Sequence, residues 1–117
     1  MKNKEMMKAT EPKTIIVYQD DKGKEPFTDW LNDLRDQKGR RFILKRIGRL
    51  EQGLYGDCRP VGEGVSELRI FFGPGYRIYF GEVDGRIIIL LCGGDKDSQS
   101  RDIQDAKAYW KEYKDHG

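Results

Sequence analysis

Histidine is all but missing from this chain: of 117 residues only His116, next to last, is one. That excludes a two-histidine acid/base site, a histidine-rich metal site and a Ser-His-Asp triad built from this chain alone. Cysteine is nearly as scarce. Cys58 and Cys92 are far apart, in no metal-ligand spacing, and a reducing compartment keeps such residues as thiols. No metal, cofactor or disulfide is therefore expected. Long apolar runs are absent too, and mean hydropathy is -0.80. A membrane span is not expected, and residues 1–13 lack the apolar core of a signal peptide, so the expected location is cytoplasmic. Charge of one sign is also lacking. The 22 Lys and Arg against 20 Asp and Glu leave a net +2, too little for a global field that would mark a nucleic-acid binder.

What remains fits one domain able to bury a single core, residues 14–113, behind a loose polar tail, residues 1–13. Residues 14–19 are rich in β-branched and aromatic side chains and predict a strand. Phe27, Trp30, Leu31 and Leu34 recur at helical spacing behind Pro26, predicting a helix over 26–35. Ile43, Ile47 and Leu50 predict a second over 39–52, stopped by Gly53. Residues 54–66 hold several Gly and Pro without periodicity and predict a loop. Residues 101–113 predict a last helix, capped by Ser98 or Ser100, with Ile103, Ala106, Trp110 and Tyr113 on its packing stripe. The expected class is α+β, in the order β-α-α-β-β-β-α: a mostly antiparallel sheet with two N-terminal helices and one C-terminal helix.

The three later strands, residues 67–72, 76–80 and 86–92, are joined by Gly73-Pro74-Gly75 and by Asp84-Gly85, both hairpin signals. A three-residue first loop sets Phe72 opposite Tyr76 and Arg69 opposite Tyr79. Leu68, Ile70, Phe72, Tyr76, Ile78 and Phe80 then form a core face, and Arg69, Phe71, Arg77 and Tyr79 the other. A two-residue second loop sets Val83 opposite Arg86. It adds Ile87, Ile89 and Leu91 to the core face, adds Ile88, Leu90 and Cys92 to the arginine face, and sets Arg77 opposite Cys92. Long cations on a sheet face commonly do no more than solvate it. Here a loop of small and hydrogen-bonding residues, Gly93 to Gln99, leaves the sheet beside Arg77 and brings Lys96 and Gln99 within reach. Phe71 and Tyr79 either stack on a base or cover the sheet. Residues 35–49 hold seven cations, among them Arg41 and Lys45, against the single acid Asp36. They form either the solvated side of a helix or a surface contacting phosphates or a partner.

The words GEGVSELRI at 62–70, GPGYRIYF at 73–80, LCGGDKDSQ at 91–99, and Arg101-Asp-Ile103 with Ala106 and Tyr109-Trp110, taken in order, resemble one family. It is the HigB-like "addiction module killer protein" branch of the RelE/ParE toxin superfamily, and the resemblance spans about residues 15–110. It implies a RelE/ParE-like twisted sheet flanked by helices. It also implies a type II toxin of a toxin-antitoxin system, many of whose relatives enter the ribosomal A site and cleave mRNA there as endoribonucleases. The implied partners are the ribosome, mRNA and a cognate antitoxin, commonly a helix-turn-helix DNA-binding protein. The family pattern assigns Arg69 to the active face, Arg77 to the scissile phosphate, and Lys96, Gln99 and Arg101 to further catalytic or RNA-contacting positions. This chain departs from relatives that rely on histidines near the active face. Which group takes the proton is open, with Lys96 a candidate for that role or for charge stabilisation. ParE-type relatives on the same scaffold instead inhibit DNA gyrase by protein contacts, and an inactive phage-borne binding protein is a third reading.

Overall fold

A computed structural model of the protein describes residues 11–116 and has α+β architecture. The elements are β1 (Thr14–Val17), α1 (Pro26–Asp33), α2 (Gln37–Glu51), β2 (Cys58–Gly62), β3 (Val65–Ile70), β4 (Tyr76–Val83), β5 (Ile87–Gly94) and α3 (Gln99–His116). They build a five-stranded sheet in the order β1-β5-β4-β3-β2. β1 runs parallel to β5 and the other neighbours are antiparallel. Most of the tail lies outside the described residues. Lys13 is held, its backbone N–H donating to Glu51 and its ammonium pairing with Glu82 at 3.3 Å.

The stretch expected as loop contains β2, which corrects the element order to β-α-α-β-β-β-β-α. Pro60 and Gly62 hid it. Proline has no N–H for a ladder and is tolerated at a sheet edge. β2 is that edge, with a bulge between Pro60 and Gly62.

Two hairpins differ in register from expectation, with opposite consequences. Residues 71–75 all belong to the first loop, so Ile70 faces Tyr76 and Arg69 faces Arg77. A slip of two residues keeps every side chain on its face. The second loop is one residue longer than expected: Val83 pairs with Ile87, and the Arg86 carbonyl accepts from Thr14 of β1. A slip of one inverts the strand. Ile88 and Leu90 therefore join the core face, while Ile89 and Leu91 turn to the arginine face. A bulge between Tyr79 and Phe80 keeps Cys92 on that second face but opposite Tyr79, and Arg77 faces Gly94.

Both faces are covered. Against the first, Phe27 and Trp30 of α1 and Ile43 and Leu50 of α2 pack on Leu68, Ile78, Phe80 and Leu90. Against the second, expected to be solvated, Ala106 and Trp110 of α3 pack on Val65, Tyr79, Ile89 and Leu91. Trp110 is a packing residue, in line with its helical stripe. Glycine permits the closest approaches: a Cβ at Gly93 would lie 2.3 Å from the Trp30 ring, and one at Gly94 1.8 Å from the Asp102 carboxylate. With α1 and α3 pressed on opposite sides of this dipeptide, the loop from Asp95 to Ser98 leaves the sheet in a fixed direction.

Candidate active site

The second face carries a polar cluster at the start of β4, centred on a residue the sequence did not single out. Glu67 of β3 is 0% exposed. Its Oε2 accepts from the Tyr79 hydroxyl at 2.9 Å and from Gln99 Nε2 at 2.8 Å, and its Oε1 from Arg59 Nε at 3.1 Å. Arg77 Nε stands 3.5 Å from Oε2. Four elements thus converge on one carboxylate: β2, β3, β4 and the first residue of α3. Burial pushes the Glu67 carboxyl up, but hydrogen bonds from Gln99, Tyr79 and Arg59, with the charge of Arg59, more than offset it and hold the group below its ordinary value. Burial and the bond to Glu67 push the Tyr79 hydroxyl far up.

The Arg77 side chain is 12% exposed. Its Nη1 donates to the Gly75 carbonyl at 3.2 Å, and its Nε is buried without a hydrogen-bond partner among the described residues. The guanidinium is therefore held from two sides, with Nη2 making no hydrogen bond among the described residues. Gly75 has φ +81°, and a Cβ there would lie 3.7 Å from Arg77 Nη1 and 3.9 Å from Lys96 Cβ. Arg77, Lys96 and, through Glu67, Gln99 are thereby gathered. Lys96 is exposed and forms no ion pair among the described residues. The loop that carries it is pinned by Asp95, whose carboxylate accepts from the backbone N–H groups of Asp97 (2.9 Å) and Ser98 (3.2 Å).

The other expected site residues spread out. Arg69 faces Arg77 across the ladder, yet its guanidinium turns to Asp57 at 3.2 Å and lies 5.5 Å from the Phe71 ring centre. Phe71 belongs to the loop and is 78% exposed. Tyr79 is fully buried, which corrects its expected stacking role: its ring offers no open face to a base. Arg101 is exposed in the first turn of α3. Arg41 and Lys45 are exposed on α2, which covers the first face, so they belong to a different surface from Glu67 and Arg77.

The cationic helix is also less solvated than its composition suggested. Arg40 Nη2 donates to the carbonyls of Leu31, Asn32 and Leu34 at the end of α1. Arg46 donates to the carbonyls of Arg69 at 2.7 Å and Tyr55 at 3.2 Å. These two arginines bind backbone carbonyls, Arg40 at the end of α1 and Arg46 between β3 and the loop before β2.

Both cysteines are free thiols, and burial, first among its causes, pushes the Cys92 thiol far up, away from reactivity. No group of side chains suited to hold a metal ion occurs among the described residues. No helix among them is long and apolar enough to cross a membrane.

Glu67 had one signal in the sequence, an acid alternating onto the face of Arg69 and Arg77. The register expected for the first hairpin set Arg69 opposite Tyr79, where Glu67 stands. No family model matches the chain. An uncharacterized protein of Haemophilus influenzae is 46% identical to it over 81 residues, which cover 69% of this chain and 82% of the relative. Identity of that extent shows common descent and one fold, and the chain belongs to one family with that Haemophilus influenzae protein.

Proposed function

We propose that this protein is the toxin of a type II toxin-antitoxin pair, a HigB-like member of the RelE/ParE superfamily that cleaves mRNA in the ribosomal A site. The observation that carries this reading is the gathering of Arg77, Lys96 and Gln99 at the start of β4, where two chain words of the family resemblance meet. Cleavage by transesterification requires the ribose 2′-OH to attack the adjacent phosphorus, form a 2′,3′-cyclic phosphate and expel the 5′-oxygen, which takes up a proton. A fixed guanidinium suits the phosphorane charge, since it keeps its own charge and donates in parallel to phosphate oxygens. Lys96, exposed on the neighbouring loop, suits the same charge or the 2′-OH proton. Phe71, with Arg69 against its ring, suits stacking on an unpaired base. Such a modest acid/base set fits an enzyme for which the ribosome orients the substrate. The partners in this reading are mRNA on the ribosome and a helix-turn-helix antitoxin, all in the cytoplasm.

The test is incubation of the purified protein with mRNA on programmed ribosomes and with the same RNA naked. Cleavage on the ribosome leaving 2′,3′-cyclic ends is expected, with little cleavage of naked RNA.

A second reading, a ParE-like gyrase inhibitor acting by contact alone, draws on a different observation. Both face arginines already have carboxylate partners, Arg69 in Asp57 and Arg77 in Glu67. Loss of gyrase supercoiling with intact mRNA would select it.

A further inference from the structure

We infer that Glu67 is a positioning residue for Arg77, an anion that aims the guanidinium and does not itself exchange a proton with substrate. This rests on the proposed nuclease reading and extends it to a group that reading did not include. Three donors converge on the Glu67 carboxylate, from Arg59, Tyr79 and Gln99. Each stabilises the ionised form, and the group has no exposed surface. A general base must reach the proton it removes and have an affinity for it near the working pH. Glu67 meets neither condition.

What the carboxylate does have is a fixed place. β2, β3 and α3 hold it, and Arg77 of β4 lies against it at 3.5 Å. The Gly75 carbonyl takes Nη1 from the other side. Rotation about the last side-chain bonds of Arg77 would separate its charge from Glu67 inside a buried site, where such separation is costly. The direction of the guanidinium is thus set before any phosphate arrives. Fixed donors of this kind act without reorganisation during reaction.

Side-chain NMR of Arg77 and single-turnover cleavage on programmed ribosomes test this together. In the wild type, the Arg77 Nε–Hε resonance is expected to be sharp and to exchange slowly with water, because that N–H is buried. Glu67→Gln keeps the shape of the side chain and removes its charge. It is expected to broaden the Arg77 resonance and to lower the cleavage rate at saturating ribosome about 10²-fold. The ribosome concentration at half-saturation should stay within about twofold, and the pH profile should keep its shape. Glu67→Asp should restore part of both signals.

An unchanged Arg77 resonance in Glu67→Gln would overturn the proposal, and so would loss of one limb of the pH profile, the mark of a base. Ile88→Ala, a core change on the opposite face, controls for stability. If it slows cleavage as much as Glu67→Gln at a temperature where both are folded, the role of Glu67 is structural only and the proposal fails. Should the wild type fail to cleave at all, the nuclease reading falls, while the NMR comparison still decides whether Glu67 holds Arg77.

Discussion

The two faces of the sheet are covered to similar depth by different means. Beneath α1 and α2 the interior is apolar, a contiguous cluster from Phe27 to Leu90. Beneath α3 the apolar cluster of Trp110, Ala106 and Leu91 ends in an ionic one, where Glu67, Tyr79, Arg77 and Gln99 meet. The first face gains stability from packing. The second spends part of its area on groups that must be satisfied one by one, and buried ions are weak contributors to stability yet costly to break. Concentrating polar groups on one face is what a site requires and a core does not.

Removing one partner from the ionic cluster should give the largest effect. Glu67→Ala strands Arg77 and Tyr79 in the interior, and we predict a loss of roughly 3–5 kcal/mol in denaturant melts. A loss under 1 kcal/mol would mean that water enters and replaces the carboxylate. On the other face Ile78→Ala, at a fully buried position, should cost about 2–5 kcal/mol through the cavity it leaves. Its cleavage rate should be unchanged below the melting range; a slowed reaction in folded Ile78→Ala would show that the two faces are coupled.

Acid should discriminate between the faces as well. The folded-state value of Glu67 is depressed, so its contribution is present above the ordinary glutamate value of about 4.3. That contribution is lost as pH falls through the lower folded value. Melts in this acid window should show a steeper loss of stability in the wild type than in Glu67→Gln, while Ile78→Ala keeps the wild-type slope. Parallel curves for wild type and Glu67→Gln would remove Glu67 as the source.

The smallest effect is expected at the start of the first hairpin loop. Phe71→Ala should change stability by no more than about 0.5 kcal/mol, since the ring is mostly in water. It should nonetheless weaken the ribosome substrate by about 1–3 kcal/mol if the ring stacks on a base. Equal binding of variant and wild type would assign Phe71 to partner contact or to none.

The helices were legible because their stripes are long and repeat at helical period: Phe27 to Leu34 behind Pro26, Ile43 to Leu50 ahead of Gly53, and Ile103 to Tyr113 after Ser98 and Ser100. Strand faces depended on loop length. The slip of two in the first hairpin cost nothing in face assignment, whereas the slip of one in the second exchanged Ile88 and Leu90 for Ile89 and Leu91. The second could not be settled locally, because the Arg86 carbonyl is taken by Thr14, a partner far back in the chain. Arg77, Lys96 and Gln99 were legible as neighbours from the loop following β5. Glu67 was not, since its burial depends on α3 closing over a face that alternation alone left open.

β1 pairs with β5 through Thr14 and Ile87 to Val17 and Leu90, and nearly the whole fold lies between those partners in the chain. The neighbouring ladders from β2 to β5 join residues close in sequence and incur little loop-closure entropy, so they can assemble early. The parallel strand is expected to dock late, with φ values near 0 at Ile15 and higher values at Leu68 and Ile78. High φ at Ile15 would refute that order. A folding chain would then carry an unpaired β5 edge until β1 returns to it, and in that interval misassembly between copies competes with folding.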